Sequence, residues 1–183
     1  MKTFLFSKVL VVFLVLSGFS WTASAQNEAF NKGNTVINVG VGLGSYISHS
    51  GFSMTIPPIS ASLEYGVVDL FDGQGGIGVG GYAGYALFKG KDKGVNDFNV
   101  GHFVIGPRGL FHYQFVDKLD TYAGVLLGYD IVSFSQKSAS VSGSRFYTAF
   151  FIGGRYYFTP NIGVFGELGY GVSPLQIGIT YKF

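Results

Sequence analysis

Three histidines are the residues of this 183-residue chain best suited to acid–base or metal chemistry. His49 lies between Ser48 and Ser50, which supplies a base beside hydroxyl groups, but a catalytic triad is defined by geometry rather than by sequence proximity. His102 and His112 are too far apart along one predicted strand to bind the same metal ion, and the chain has no cysteine to help them. We therefore predict no catalytic, cofactor-binding or metal-binding residues.

Four charged residues form the second candidate group, because they fall on the polar face of alternating segments. They are Glu64, Arg108, Arg155 and Glu167. A tight turn at 159–161 would place Arg155 opposite Phe165 and diagonal to Glu167, within reach of a long side chain. Inside a narrow barrel such charges must be paired, which predicts a structural ion-pair network. The alternative is a gate or conduction path lined by the same charges.

The segments that position these residues are strands, as the last nine residues illustrate most clearly. From Leu175 to Phe183, apolar residues alternate strictly with Gln176, Gly178, Thr180 and Lys182. A period of two is typical of a strand with one apolar and one polar face. Because an unpaired terminal strand invites aggregation, we expect this segment to close a ring against the first strand.

Eight segments share this alternation, and the connections between them alternate in length. The predicted strands are Ile37–Gly44, Ile59–Gly66, Ile77–Leu87, Phe98–Phe115, Tyr122–Ile131, Phe150–Phe158, Ile162–Tyr170 and Leu175–Phe183. Long polar loops are predicted at Ser45–Pro58, Phe88–Asp97 and Ser133–Ser144, and the connections after the second, fourth and sixth strands are short. An even strand number with this asymmetry predicts an all-β fold, an eight-stranded antiparallel transmembrane β-barrel of the outer-membrane type.

The fourth strand is the least regular, because Pro107 cannot donate a hydrogen bond to a neighbouring strand. A closed ring has no free edge on which a proline is harmless. We therefore predict a β-bulge near Gly106 and Pro107.

Aromatic residues on the apolar face collect near both ends of the strands, which predicts two girdles at the membrane interfaces. The predicted girdle residues are Tyr65, Tyr85, Tyr113, Phe115, Tyr129, Tyr156, Phe158, Tyr170, Tyr181 and Phe183. Between the girdles the apolar face carries almost no charge, and the alternate face holds Gly, Ser and a few charges. A soluble lipocalin-like barrel would have the opposite arrangement, with the apolar face inside.

The N-terminal residues have the pattern of a secretory signal peptide. Lys2 and Lys8 precede an apolar run, and Ala23-Ser24-Ala25 has the small-residue pattern of a cleavage site. We predict a cleaved signal peptide at 1–25, a short periplasmic N-terminal tail at 26–33 and the barrel at 34–183. The chain has 12 basic and 10 acidic residues, and cleavage would remove two of the basic ones, Lys2 and Lys8. The mature chain would then have no net charge, which argues against nucleic acid as a partner.

The sequence resembles the outer membrane protein beta-barrel domain family, the small OmpA-like and OmpX-like barrels within the porin-like group. The resemblance is carried by Gly153-Gly154-Arg155-Tyr156-Tyr157-Phe158 with the turn that follows, by Gly169-Tyr170-Gly171, by the closing strand and by Gly106-Pro107-Arg108-Gly109. It implies a barrel in the cell outer membrane of a Gram-negative-type envelope. It supplies no catalytic residues.

The predicted role is structural, or one of binding through the loops, with a lumen plugged by ion pairs. Two alternatives stay open: a narrow porin-like channel or transporter for small solutes, and a lipid-modifying enzyme that uses His49. Expected partners are outer-membrane lipids including lipopolysaccharide, and the barrel-assembly machinery through the C-terminal strand. Lys89, Lys91 and Lys93 could meet lipopolysaccharide phosphates or simply be solvated, and the apolar first loop (Phe52, Met54, Ile56) could contact lipid, an unknown extracellular ligand or the barrel mouth.

Overall fold

The computed structural model describes residues 29–45, 52–90, 98–136 and 139–183. Its strands are β1 (Thr35–Leu43), β2 (Phe52–Leu70), β3 (Gly75–Gly90), β4 (Phe98–Val116), β5 (Leu119–Gln136), β6 (Ala139–Tyr157), β7 (Ile162–Tyr170) and β8 (Leu175–Lys182). One turn of 3₁₀ helix, Phe71–Gly73, joins β2 to β3. In these residues no helical segment is long and apolar enough to cross a membrane.

The eight strands form one closed antiparallel barrel in chain order, which confirms the predicted fold class. β8 closes the ring against β1 through pairs that run from Val36 with Lys182 to Leu43 with Leu175. Phe183, just beyond β8, donates its backbone N–H to Thr35 O at 2.9 Å. The C-terminal strand is therefore the seam of the barrel, as its alternation predicts.

The strands alternate in side-chain direction, and this alternation separates the two surfaces of the barrel wall. In β1, Val36 and Asn38 are buried inside, whereas Val39 and Val41 are exposed on the outside. The outward apolar side chains continue around the ring, with Ile152 63% and Ile179 65% exposed. The polar and charged side chains are buried in the interior, so the barrel has the reverse polarity of a soluble one.

The barrel wall is uneven in height, and three predicted loops are shorter than the sequence indicated. β2 already begins at Phe52, inside the loop predicted at Ser45–Pro58. β3 continues to Gly90, inside the loop predicted at Phe88–Asp97. β5 continues to Gln136 and β6 begins at Ala139, so both strands enter the loop predicted at Ser133–Ser144. These expectations were wrong because the outward residues near the tips of the extensions, Ser53, Lys89 and Ser135, are polar, so the apolar-outward pattern used to find the strands stops there. We call the end of the barrel at which β2, β3, β5 and β6 are extended the hairpin end, and the opposite end the short-turn end.

The bulge predicted near Gly106 and Pro107 is also wrong. β4 pairs with β3 in one continuous register that includes Pro107 with Gly81. Toward β5, pairing stops at Ile105 and resumes at Arg108 without a shift. The proline therefore leaves a gap in one ladder, because it lacks an N–H, and does not insert an extra residue. The register shifts lie elsewhere, in β2 against β3 and between Tyr113 and Val116 in β4 against β5.

Candidate functional site

The barrel interior holds a cluster of four charged or titratable side chains near the short-turn end, which we call the short-turn cluster. It comprises Glu64 on β2, His112 on β4, Asp120 on β5 and Arg155 on β6. Arg155 Nη1 donates to Asp120 Oδ2 at 2.9 Å, and its Nη2 donates to Glu64 Oε2. His112 Nε2 lies 2.5 Å from Glu64 Oε1, and its Nδ1 lies 2.8 Å from Asp120 Oδ1. All four side chains are at most 2% exposed.

The short-turn cluster is electrically balanced when His112 is an imidazolium. Both ring nitrogens of His112 face carboxylate oxygens, and ionised carboxylates only accept hydrogen bonds. Two carboxylates then face one guanidinium and one imidazolium. Such pairing is the condition for burying four charges, since an unpaired ion at this depth would keep its full desolvation penalty.

Residues 29–33, the described part of the predicted N-terminal tail, lie against this end of the barrel interior. The Phe30 ring is 5% exposed and stacks on His112, with ring centroids 4.0 Å apart. Ala29 N donates to Gln114 Oε1 at 2.7 Å, and Lys182 Nζ donates to Ala29 O at 3.0 Å. The N-terminal segment therefore covers the short-turn cluster at the short-turn end of the barrel.

A second group, the middle cluster, comprises Arg108, Tyr122 and Glu167. Arg108 Nη2 donates to Glu167 Oε1 at 2.7 Å, and Tyr122 OH donates to the same oxygen at 2.9 Å. The Arg108 guanidinium also lies 4.3 Å from the centroid of the Phe151 ring. Arg155 connects the two clusters, since its guanidinium carbon is 4.5 Å from the Tyr122 ring centroid.

The structure places all four sequence-predicted charges in the interior but pairs them differently from the expectation. Arg155 is opposite Phe165, as the turn predicted. Its ionic partners are nevertheless Glu64 and Asp120, and Glu167 belongs to Arg108. The difference has two causes, since the sequence argument considered only the β6–β7 hairpin. Glu64 and Arg155, like Arg108 and Glu167, meet across the lumen from non-adjacent strands, and Asp120 lies directly opposite Arg155 on β5.

Above the middle cluster the interior contains a cavity of about 20 Å³, lined by residues that include Tyr82, Arg108, Tyr147 and Gln176. This volume is enough for one water molecule. Gln176 Nε2 donates to Tyr82 OH at 3.2 Å. Arg108 Nε and Tyr147 OH are buried and have no hydrogen-bond partner among the described residues.

A third group near the hairpin end comprises His102, Asp130 and Arg145, and we call it the hairpin-end cluster. Asp130 Oδ2 accepts from Arg145 Nε at 3.0 Å and from Nη2 at 2.7 Å, and lies 3.0 Å from His102 Nδ1. The Asp130 side chain is fully buried, but that of Arg145 is 58% exposed.

Sequence reasoning missed five interior residues: His102, His112, Asp120, Asp130 and Arg145. The sequence did contain a signal for two of them. His102 and His112 are an even number of residues from Arg108 on β4, so all three side chains share the inward face. Asp120 falls in the predicted short turn before the fifth strand, and Arg145 falls between the predicted loop at Ser133–Ser144 and the predicted strand at Phe150–Phe158, so neither is among the predicted lumen residues. Among the described residues, no three His, Asp or Glu side chains form a metal-binding group.

The predicted girdle residues all project outward. Tyr65, Phe115, Tyr156, Phe158, Tyr181 and Phe183 lie toward the short-turn end, with Tyr113 beside them, and Tyr85, Tyr129 and Tyr170 lie toward the hairpin end. Two of the neighbouring pairs form edge contacts, Tyr156 with Phe158 and Tyr181 with Phe183. The predicted signal peptide at 1–25, His49 with its flanking serines, and Lys91 and Lys93 lie outside the described residues.

A closed eight-stranded antiparallel barrel with an apolar outside and a charged interior defines the class, a β-barrel of the outer-membrane type. Among solved structures, the chain is similar to Ail, the attachment invasion locus protein of Yersinia pestis, in complex with the heparin analogue sucrose octasulfate. That match has a TM-score of 0.53 and 18% identity over 83% of this chain and 99% of the other. It is also similar to the N-terminal β-barrel domain of Pseudomonas aeruginosa OprF, with a TM-score of 0.47 and 16% identity over 84% and 100%. No protein-family model and no curated protein sequence matches the chain.

The likeness to Ail shows the fold, and confirms the small OmpA-like or OmpX-like barrel that the sequence resemblance implied.

Proposed function

We propose that this protein is a non-catalytic integral protein of the cell outer membrane, with a plugged lumen and a structural or loop-mediated binding role. The observation that carries the proposal is the outward apolar surface. Large side chains such as Leu127, 50% exposed, and Phe150, 60% exposed, recur on every side of the barrel. A soluble monomer rarely exposes a contiguous apolar patch larger than several hundred Å², so this surface fits lipid.

The aromatic girdles set the depth of the proposed membrane span. From Ile77 to Tyr85 is eight residues along β3, roughly 26 Å of strand, or about 20 Å along the membrane normal after tilting. This height is close to the apolar band of outer-membrane barrels. The long hairpins would then stand on the outer side and the short turns in the periplasm.

The plug is supported by the order of the interior groups along the barrel axis. Phe30, the short-turn cluster and the middle cluster follow one another, with the charges of each cluster paired internally. The cavity of about 20 Å³ on their hairpin-end side has room for about one water molecule. Eight strands are only wide enough for their own side chains, which agrees with a closed lumen.

Outer-membrane lipids, including lipopolysaccharide, are the partners that the outward belt fits best. The barrel-assembly machinery is the proposed partner of the C-terminal strand during insertion, since β8 is the last strand to close the ring. The Ail structure holds a sulfated sugar, which makes a polyanionic extracellular ligand a candidate for the hairpins of this barrel as well.

A narrow channel is the second candidate, and the unpaired interior groups favour it. Arg108 Nε and Tyr147 OH border the small cavity and, within the part of the chain that the structure describes, have no hydrogen-bond partner, so a rearrangement of the middle cluster could extend a wet path.

Conductance of the refolded mature barrel in a planar bilayer separates the two candidates. If the lumen is plugged, no current steps are expected for the natural sequence or for the control variant Tyr170→Phe, which changes a girdle residue on the outside. Reproducible current steps that change in the Arg108→Ala, Glu167→Ala double variant would instead establish the channel. Failure of the barrel to insert into lipid at all would refute the membrane assignment itself.

A further inference from the structure

Between the girdle residues Tyr85 and Tyr129 and the tips of the hairpins, the outward face of the barrel wall becomes polar and the inward face becomes apolar. On the outward face one row of paired residues runs across four strands, Ser53 with Lys89, Lys89 with Asn99 and Asn99 with Ser135. All of these are polar, as expected for a surface in water. This part of the wall therefore has the outside of a soluble barrel.

The inward face at the same height is apolar. Its row crosses five neighbouring strands and comprises Met54, Phe88, Val100, Phe134 and Val141. Met54 is 39% and Val141 67% exposed, although both face the inside of the hairpins. At this height the wall consists of β2 to β6 only, because β7 pairs with β6 no further than Phe150 and β1 pairs with β2 no further than Ile59, so the apolar inward face is open on that side. A concave apolar face behind a polar outside can bind an apolar ligand.

The hairpin-end cluster forms the floor below this row. Asp130 fixes Arg145 through its Nε and Nη2 atoms, and in the described part of the chain Nη1 makes no hydrogen bond. Gly143 lies between Arg145 and Val141 on the inward face of β6, and a Cβ atom added there would meet no heavy atom within 4 Å. Open space therefore separates an exposed guanidinium from an apolar rim.

We propose that this recess, the hairpin-end vestibule, binds a single-chain carboxylate of the fatty-acid type. Arg145 would hold the carboxylate through its Nη1 edge, and the alkyl chain would rise past Gly143 along the apolar row. The four residue steps from Arg145 to Val141 span about 13 Å, the length of a medium alkyl chain.

Charge complementarity selects a singly charged head group. Arg145 is the one cationic side chain that the described residues present to the vestibule, and Asp130, whose carboxylate lies beside it, disfavours further negative charge. A guanidinium edge matches a carboxylate in geometry. The inference rests on the proposed membrane placement, which puts the hairpins in water outside the lipid.

The test is a titration of the full mature barrel in lipid nanodiscs with octanoate, followed by the methyl resonances of Val100, Val141 and Val132, the last of which lies opposite Gly143 on the inward face of β5. Saturable shifts are expected at these three valines and not at Val39 or Val164, which face lipid. Arg145→Gln should weaken octanoate binding at least tenfold, since it removes a charge-assisted hydrogen bond. Gly143→Leu should abolish it by filling the recess, and Ser142→Leu, on the outward face, is the matched control that should bind as the natural sequence does.

Octanol and octyltrimethylammonium are the comparison probes, and both should bind at least tenfold more weakly than octanoate. Equal binding of octanol would overturn the role of Arg145, and no saturable shift in a correctly inserted barrel would overturn the vestibule. Protection of the Val141 methyls from a soluble paramagnetic probe without octanoate would also overturn it, because the protein's own connecting segments would then fill the recess. Absence of insertion into nanodiscs would instead contradict the proposed function.

Discussion

The Phe30 ring lies parallel to the His112 imidazole, with an interplanar angle of 21° and ring centroids 4.0 Å apart. Together with the hydrogen bonds of Ala29 to Gln114 and Lys182, this contact holds the N-terminal segment over the buried charges of the short-turn cluster. Phe30→Ala should therefore lower the free energy of unfolding by about 3 kcal/mol, at the low end for a buried phenylalanine because the site is at the barrel end. Denaturant unfolding in lipid vesicles measures this change.

Accessibility of the two interior histidines tests the same contact without relying on stability. In Phe30→Ala, modification of His112 by diethyl pyrocarbonate should become faster, and that of His102, at the hairpin end, should stay as it is. Mass spectrometry of the two β4 positions gives both rates in one experiment. Unchanged reactivity of His112 would mean that Phe30 does not close this end of the barrel.

Arg155 is the residue whose loss should cost the most stability in the interior. Its guanidinium is fully buried and bonds two carboxylates, Glu64 and Asp120. Arg155→Met should lower the free energy of unfolding by about 3–5 kcal/mol, because it leaves excess negative charge without water or a cation. The double variant Glu64→Gln, Arg155→Met should recover part of that loss in the same unfolding assay.

Arg145→Met is the matched control for Arg155, since Arg145 also bonds a buried carboxylate. Its own side chain is 58% exposed to screening by solvent, and the buried Asp130 keeps His102 Nδ1 at 3.0 Å, so the loss should stay near 1 kcal/mol or below. Equal losses for the two arginines would contradict the view that burial, rather than pairing alone, sets the contribution of these charges.

The inside and outside of the wall are tested by single cysteines, which is straightforward in a chain that has none. Ile152→Cys, at a position 63% exposed, should react with a thiol reagent that partitions into lipid. Ser62→Cys, at a position 7% exposed on the inward face of β2, should not react in the folded barrel and should react after unfolding. The reverse labelling would invert the assignment of the two faces.

The sequence allowed the side of each wall residue to be predicted, because alternation alone decides which face a strand residue takes. It therefore placed Glu64, Arg108, Arg155 and Glu167 together inside. It could not predict that Arg108 rather than Arg155 bonds Glu167, since contacts across the lumen depend on the stagger of all eight strands. The hairpin extensions were missed for two reasons. On β6 the alternation persists as far as Val141, but the apolar residues change sides, and on β2 two register shifts between Met54 and Ile59 interrupt the alternation.

Adjacent glycines on β3 provide the sharpest test of the packing itself. A Cβ atom on Gly80 would lie 2.0 Å from Leu63 O and 2.9 Å from Glu64 Cα, whereas one on Gly81 would meet nothing within 4 Å. Gly80→Ala should lower the free energy of unfolding by about 1–3 kcal/mol, because the backbone of β2 must move. Gly81→Ala should raise it by about 0.5 kcal/mol, because alanine restricts the unfolded chain and its methyl group faces outward. Since the two substitutions are chemically identical and one residue apart, equal effects in the same unfolding assay would contradict the close approach of β2 to the inward face of β3.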